Sequence, residues 1–417
     1  MEKKNYLSTI FESGPGVASG LRDFRDKTSI GTVSAGIVAA IFGCSGPALL
    51  VMKAAADGGL TPEQAISWLF GVYVLGGALG VFLSLRYKMP INGAFSIPGA
   101  VMLIGSLQTY SFEQACGAYI FAGIVVLLLG MSGLIGKVMR LLPLPIVQGM
   151  IAGCMMRFGI DIVKQTEASP YIGFATLAGF FIAPKIHKRA PGVLIGLICG
   201  IVAATFTGSF SFDFSNVQWS GPHIYMPAFD LNAILSIGIP LAVLVVGAEN
   251  AQAIGVLYGQ GYKPPVNVMT LISGVGGILS GLFGAHNANI AGPMTAICSS
   301  DEVDPDTSKR YTGSVINGII FAGFGLLGPA AIVFVAAMPK ALVGLVAGLA
   351  MVNVLTQSLK DGFATGLYRF GAFAAFVIGI SGLTILQIGS PLWALIGGMA
   401  VSFIMEPTHF KTSPAAE

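Results

Sequence analysis

Charge is what this sequence has least of. Only 10% of its residues are Asp, Glu, Lys or Arg, while 54% are hydrophobic and mean hydropathy is +0.80; a soluble domain carries about a quarter charged residues. Water cannot solvate such a surface, so a lipid bilayer must cover much of it. The formal net charge of +3, with no dense basic run, excludes nucleic acid as a partner. Chemistry is sparse too. There are 4 histidines, none paired with another at ligand spacing, and no HExxH pattern. No GxxxxGK[ST] loop is present, so ATP does not drive this protein directly. No nucleophile elbow appears, and the sequence does not read as an enzyme or call for a metal or cofactor. The 5 cysteines (Cys44, Cys116, Cys154, Cys199, Cys298) lack CxxC spacing and read as small packing residues. Residues 1–29 are polar without the apolar core of a cleavable signal, so the first span is expected to direct insertion.

What is abundant is apolar sequence broken by 57 Gly and 22 Pro. In a membrane bundle, Gly permits close helix contact and Pro marks breaks. A span needs roughly 20 apolar residues. Candidates run near 31–52, 65–85, 115–136, 144–163, 191–208, 232–257, 266–284, 311–337, 341–358 and 386–405, with shorter stretches near 171–184 and 364–380. Two more, near 90–107 and 284–300, are interrupted by polar residues, Gly and Pro; counting them gives fourteen crossings. The basic residues test that count, because Lys and Arg gather on the cytoplasmic side. Lys3, Lys4, Arg22, Arg25 and Lys27 precede the first span. Alternate loops then carry Arg86 and Lys88, Lys137 and Arg140, and Lys185, Lys188 and Arg189. Lys263, Lys309 and Arg310, Lys360 and Arg369, and Lys411 follow. All fall on one side if both interrupted segments cross, which places both termini in the cytoplasm of a bacterium with the spans in its inner membrane. Loop 209–230 falls opposite, without Lys or Arg, and holds the interfacial aromatics Trp219 and Tyr225.

The chain also repeats itself. PINGAFSIPGAVMLIG (90–105) and AHNANIAGPMTAICSS (285–300) both place Asn first, then small residues, then Pro opening a helical run. Asn92 precedes Asn287 by the offset that separates Gly149, Ala152 and Gly153 from Gly344, Ala347 and Gly348. The reading is an all-α polytopic membrane protein of two halves, 30–208 and 231–406, each of seven segments. The third and tenth segments contain short extended stretches. An odd number of spans inverts the second half, the usual architecture of alternating-access carriers. Segment 1–29, loop 209–230 and tail 407–417 complete the organisation.

Paired broken segments in corresponding positions point to a transport site. Asn92, Phe95 and Ser96 lie in the extended part of the first, before Pro98; Asn287 and Asn289 lie in that of the second, before Pro293. Pro suits the first turn of a helix, where its missing N–H costs nothing. Each half-helix then aims free N–H groups and a positive dipole end at mid-membrane, a site for an anion such as a carboxylate. Glu249 lies deep in ILSIGIPLAVLVVGAENAQAIGVL (234–257). An ionised carboxylate at the bilayer centre costs about 2.5 kcal/mol or more. Glu249 is therefore expected to face the bundle interior and bind a proton for part of a cycle; the alternative is a buried carboxyl with no transport role. Asn250 and Gln252 add amides beside it. In the first half, FGCSGPALL (42–50) aligns Ser45 with Glu249. His286 is a further candidate, although a lone histidine is more often structural. Arg157 and Asp161, four apart on one helix, read as an ion pair in preference to Arg157 as a substrate counter-ion. Asp301, Glu302, Asp304 and Asp306 read as a solvated loop without the pattern of a calcium site.

At GAENAQAIGVL (247–257), AHNANIAGPMTAICSS (285–300) and PINGAFSIPG (90–99) the chain resembles the benzoate/proton symporter (BenE) family, which is related to nucleobase permeases and to bicarbonate and sulfate transporters. The resemblance covers nearly the whole chain after the first 25 or so residues. It implies a core domain (30–140 plus 231–337) and a gate domain (141–208 plus 338–406), with the site between the third and tenth segments. It also implies an elevator-like movement and a homodimer through the gate domain. Glu249 matches the acidic position of the eighth segment. Nucleobase relatives carry a second acid in the tenth, where this chain has Asn287 and Asn289, and one fewer negative charge suits an anionic substrate. The substrate so implied is benzoate or a similar aromatic carboxylate, moved with a proton, with Phe95 against its ring. The rival readings are a carrier of another anion or of a nucleobase, and a passive anion channel.

Overall fold

Long runs of Ala, Gly, Leu, Ile and Val propagate helices here, and Ser, Thr, Pro and Gly end them. The computed structural model describes residues 11–133, 143–186, 192–210, 220–386 and 390–412. Lys3, Lys4, Lys137, Arg140, Lys188, Arg189 and Trp219 lie outside the described residues, as do residues 413–417 of the tail and the side chain of Lys411.

The described chain is mostly helical. Helix α1 (Val17–Lys27) precedes α2 (Ile30–Cys44) and α3 (Gly46–Asp57). Then come α4 (Pro62–Tyr87), α5 (Ile97–Ser106), α6 (Phe112–Ser132), α7 (Leu144–Ala168), α8 (Pro170–Ile186) and α9 (Gly192–Phe206). After loop 209–230 follow α10 (Leu231–Gly259), α11 (Val266–Leu282), α12 (Gly292–Ser299), α13 (Tyr311–Leu326) and α14 (Gly328–Ala336). The last are α15 (Lys340–Phe363), α16 (Arg369–Ser381) and α17 (Ser390–Met405). Local chemistry sets the starts. Ser29, Thr61 and Ser111 each close a reciprocal capping box with Thr32, Gln64 and Gln114. Asp230 accepts the Ala233 N–H at 2.8 Å to cap α10.

Among the described residues, 6 helices are long and apolar enough to cross a membrane, with α2 and α3 taken together as one of them. The candidate span 311–337 comprises α13 and α14, bent by 66° at Leu327. The cause is Gly328-Pro329, since Pro cannot continue the preceding helix. The expected span 31–52 is likewise broken at Ser45 (φ −94°, ψ −92°), just before Gly46-Pro47. Helices α5, α8, α9, α11, α16 and α17 are shorter apolar helices of 10–17 residues.

Helix α6 packs along α11, and α13 lies against α2 and α4; α7 packs against α15 and α16, and α8 against α9. Between them runs an antiparallel pair, β1 (Gly93–Ala94) with β2 (Asn289–Ile290), in register Gly93 with Ile290 and Ala94 with Asn289. Each strand is seated on a glycine surface. A Cβ on Gly93 would lie 2.2 Å from the Gly76 carbonyl of α4, and one on Gly276 of α11 would lie 2.2 Å from the Ala288 carbonyl. Close backbone approach thus buries the strands in protein, the condition for extended chain at membrane depth. The antiparallel pairing sends α5 and α12 away from the strands in opposite directions.

One face of the molecule gathers several of the basic residues. Lys88 pairs with Asp23 at 2.5 Å and Lys27 bonds Ser308 at 2.7 Å. The Tyr262 hydroxyl donates to the Thr307 carbonyl at 2.8 Å. The Glu12 carboxylate caps α11 through the N–H groups of Asn267 and Val268, at 3.0 and 2.9 Å. The acidic loop 301–306 is not merely a solvated connection. Arg310, 2% exposed, ties it down through Asp301 Oδ1 (2.7 Å) and the Asp304 carbonyl (2.8 Å), and holds the Ser299 carbonyl at the end of α12 (2.7 Å).

Candidate functional site

The strand pair places the beginnings of α5 and α12 side by side in the protein interior. Ser96 is the N-cap of α5 and its hydroxyl accepts the Gly99 N–H at 3.1 Å. Ala291 is the N-cap of α12 and offers no side-chain cap. Glu249 arrives from α10, where residues Val245–Asn250 form a π-helical turn. Such turns recur at functional sites because they shift side chains from their regular helical positions. Glu249 is 6% exposed and its carboxyl group lies beside Ser96 and Ile97 at the start of α5. A carboxyl group therefore lies near the positive end of α5.

Glu249 lines a closed cavity with Phe42, Pro47, Phe95, Pro293 and Met294. Its free volume is about 10 Å³, at the threshold for one water, so an aromatic ring requires Phe42, Phe95 or Met294 to move. Phe95 meets Tyr73 edge to face at 5.3 Å and His286 at 5.6 Å. A second space of about 750 Å³ runs between α2 and the loop after α12 on one side, and α8, α9 and α15 on the other. Ser45 and Phe42 line its inner end, and Lys185 and Glu302 also contribute to it. Phe42 belongs to the walls of both spaces and so stands between the vestibule and Glu249.

The remaining sequence candidates are partly gathered here and partly given to the scaffold. Asn287 accepts the Ser96 N–H at 3.0 Å, and His286 Nε2 lies 2.9 Å from the Ser96 carbonyl. Trp68 Nε1 donates to His286 Nδ1 at 2.9 Å. The indole only donates, so Nδ1 accepts and Nε2 carries the proton given to Ser96. Both ring nitrogens of His286 are occupied by protein. Asn92 turns away from the cavity. It donates to the Met294 carbonyl (3.1 Å) and Ser314 (2.8 Å) and accepts from Asn317 (2.8 Å). Asn250 accepts from Ser273 at 3.1 Å, and Ser273 also receives the Ile290 N–H at 3.3 Å, which ties α10 to β2 through α11. Asn289 is buried and donates to the carbonyl of Ile290. Gln252 is exposed, and its amide lies over Gly292, where a Cβ would come within 2.4 Å of it.

One sequence expectation fails. Among the described residues Arg157 and Asp161 form no ion pair within 4.0 Å; Arg157 instead donates to the Val101 carbonyl of α5 at 3.0 Å. The spacing permits the pair, but a carbonyl of the crossing helix lies within reach.

A profile of the BenE family, described as benzoate membrane transport protein, matches residues 26–404. The chain belongs to the BenE family. Among relatives of this BenE chain, the inner membrane protein YdcO of Escherichia coli (strain K12) is 30% identical over 371 residues, 88% of this chain and 94% of its own length. The benzoate membrane transport protein of Acinetobacter baylyi (strain ATCC 33305 / BD413 / ADP1) is 26% identical over 385 residues, 92% of this chain and 98% of its own. The uric acid permease PucK of Bacillus subtilis (strain 168) is 27% identical over 291 residues, 60% of this chain and 61% of its own. Among solved structures, the transmembrane domain of the cyanobacterial bicarbonate transporter BicA superposes with a TM-score of 0.63 at 15% identity, covering 88% of this chain and 97% of that one. Murine Slc26a9, an anion transporter in the inward-facing state, gives 0.62 at 15% identity, covering 99% and 73%. This BenE chain is thus a multi-pass membrane protein of a transporter family with the fold of those anion transporters.

Sequence reasoning missed Phe42, Trp68 and Ser273. Phe42 carries a legible signal, a large aromatic just before the Gly-Cys-Ser-Gly-Pro break. Trp68 and Ser273 sit inside runs of helix-forming residues that do not reveal which face meets a strand.

Proposed function

We propose that this chain is a secondary active transporter that carries benzoate or a similar aromatic carboxylate into the cell together with a proton. The observation that supports this reading best is the buried Glu249 carboxyl group beside the start of α5, in a cavity walled by Phe42 and Phe95. The kinship with the Acinetobacter baylyi protein supports the substrate class. The uncapped start of α12 then receives the substrate carboxylate, with the Gln252 amide beside it and the ring against Phe95. Glu249 takes its proton on the outer side and releases it in the cytoplasm. Neutralising it lets the loaded site move, because an unpaired charge crossing an apolar barrier is penalised. Asn287, His286, Asn92 and Asn250 hold the strands in this reading rather than the substrate.

The fourteen-segment inverted repeat is part of the same reading. The opposite departures of α5 and α12 support it, and the packing of α7 with α15 and α16, apart from α2, α4 and α13, supports a core and a gate that slide past each other. A homodimer through the gate and an inner-membrane location with cytoplasmic termini complete it. With that orientation the 750 Å³ vestibule opens to the cytoplasm, closed from Glu249 by Phe42. The test is uptake of labelled benzoate into vesicles reconstituted with the protein, with and without an inward proton gradient. Saturable, gradient-dependent accumulation is expected; large currents without saturable counterflow reject it in favour of a channel. The similarity to PucK favours one second reading, a nucleobase carrier, and competition by xanthine, uracil and benzoate in the same vesicles separates the two.

A further inference from the structure

A third cavity lies at the far end of α5 from Glu249. It has about 170 Å³ and draws on both helix groups: Ser106 at the end of α5 and Tyr110 after it, Ser236 from α10, Cys154 and Arg157 from α7, and Thr384 after α16. This cavity takes the far end of α5 and the 750 Å³ vestibule takes Ser300 and Glu302 beyond α12, and the two share no lining residue; with the orientation proposed above, this cavity belongs to the outer side. Arg157 is the only ionisable cation in its lining and no carboxylate lies within ion-pair distance of it among the described residues. Its one described hydrogen bond runs to the Val101 carbonyl, and a guanidinium has five donors in a fork that fits a carboxylate. Met102, Ile380 and Pro391 supply apolar wall beside the hydroxyl groups.

We infer that this cavity is a separate capture site for an aromatic carboxylate on the outer face, with Arg157 binding the carboxylate and Tyr110 and Ile380 bordering the ring. The inference rests on the transport reading for its substrate class. A carboxylate seated there can use the remaining Arg157 donors beside the one given to Val101 of α5. Such a site concentrates substrate at the entrance without requiring the Glu249 cavity to be open, and its affinity falls with ionic strength.

Cys154 lies one turn from Arg157 in the same lining and reports occupancy directly. The purified full-length protein in nanodiscs is treated with N-ethylmaleimide, and modification of Cys154 is followed by peptide mass spectrometry. Benzoate is expected to slow that modification several-fold, benzyl alcohol, with the ring but not the charge, to leave it unchanged, and high salt to weaken the protection. Arg157→Gln is expected to abolish protection and Arg157→Lys to keep part of it, while Glu249→Gln keeps all of it. Equal protection in Arg157→Gln, protection by benzyl alcohol, loss of protection in Glu249→Gln, or a Cys154 that does not react without ligand overturns the proposal. Protection without any vesicle uptake would leave the capture site standing and remove the transport reading, so the two failures are distinct.

Discussion

The two half-helices begin alike in sequence and end differently in chemistry. At α5, Ser96 caps its own helix and the Glu249 carboxyl group lies beside that cap. At α12, Ala291 caps nothing and only Gln252 lies over the first turn. Both starts carry Pro and the same positive dipole end. One start has a side-chain cap and a carboxyl group beside it, and the other has neither. In the proposed cycle this difference divides the labour, with α5 assigned to the proton and α12 to the anion.

The strongest way to break that division is Glu249→Gln. Proton-driven accumulation of benzoate is expected to fall to background while exchange of labelled for unlabelled benzoate persists; retained uphill uptake removes Glu249 from coupling. The next tests exchange the caps. Ala291→Ser gives α12 the cap that α5 has. It is expected to raise stability by about 0.5–2 kcal/mol and to raise the half-saturation concentration for benzoate several-fold, read by thermal melting and uptake. An unchanged half-saturation moves the anion away from α12. Phe42→Ala joins the vestibule to the Glu249 cavity. It is expected to shift the apparent affinity measured from the cytoplasmic face and to weaken coupling by a proton leak, seen as faster decay of an imposed pH gradient. The smallest effect lies at the surface. The Lys88 ammonium holds the Asp23 carboxyl below its ordinary value of 3.8, so this contact stabilises the docked α1 above that value and loses its contribution as pH falls through the lowered one. Amide protection over Val17–Lys27, corrected for the intrinsic exchange rate at each pH, should fall at acid pH in the wild type, and Asp23→Asn should show the lower protection already at neutral pH.

Much of this was legible in the sequence where one residue stood out against a uniform background. Glu249 is conspicuous in an apolar run, and the Asn-small-Pro motifs announced both strands because Gly and Pro leave few backbone choices. What stayed hidden was partner choice. Asn92 and Asn287 hold matching places in their motifs, yet Asn92 reaches α13 and Asn287 reaches Ser96. Spacing rules speak only for neighbours on one element, so they offered Asp161 to Arg157 and could not show Val101. The bend at Leu327 was blurred for the opposite reason: hydropathy averages over a break that Gly-Pro imposes locally.

The strand pair also bears on how the protein is made. Gly93 and Ala94 bond to residues translated almost two hundred positions later, and Ser96 is fastened by Asn287 and His286 of that same late segment. Until then the early strand has no ladder partner, and bare amides are not tolerated in hydrocarbon. The first half must therefore wait at the insertion machinery, or keep this segment near water, until the second arrives. A ribosome stalled before residue 285 would leave the early half-helix accessible to a water-soluble label.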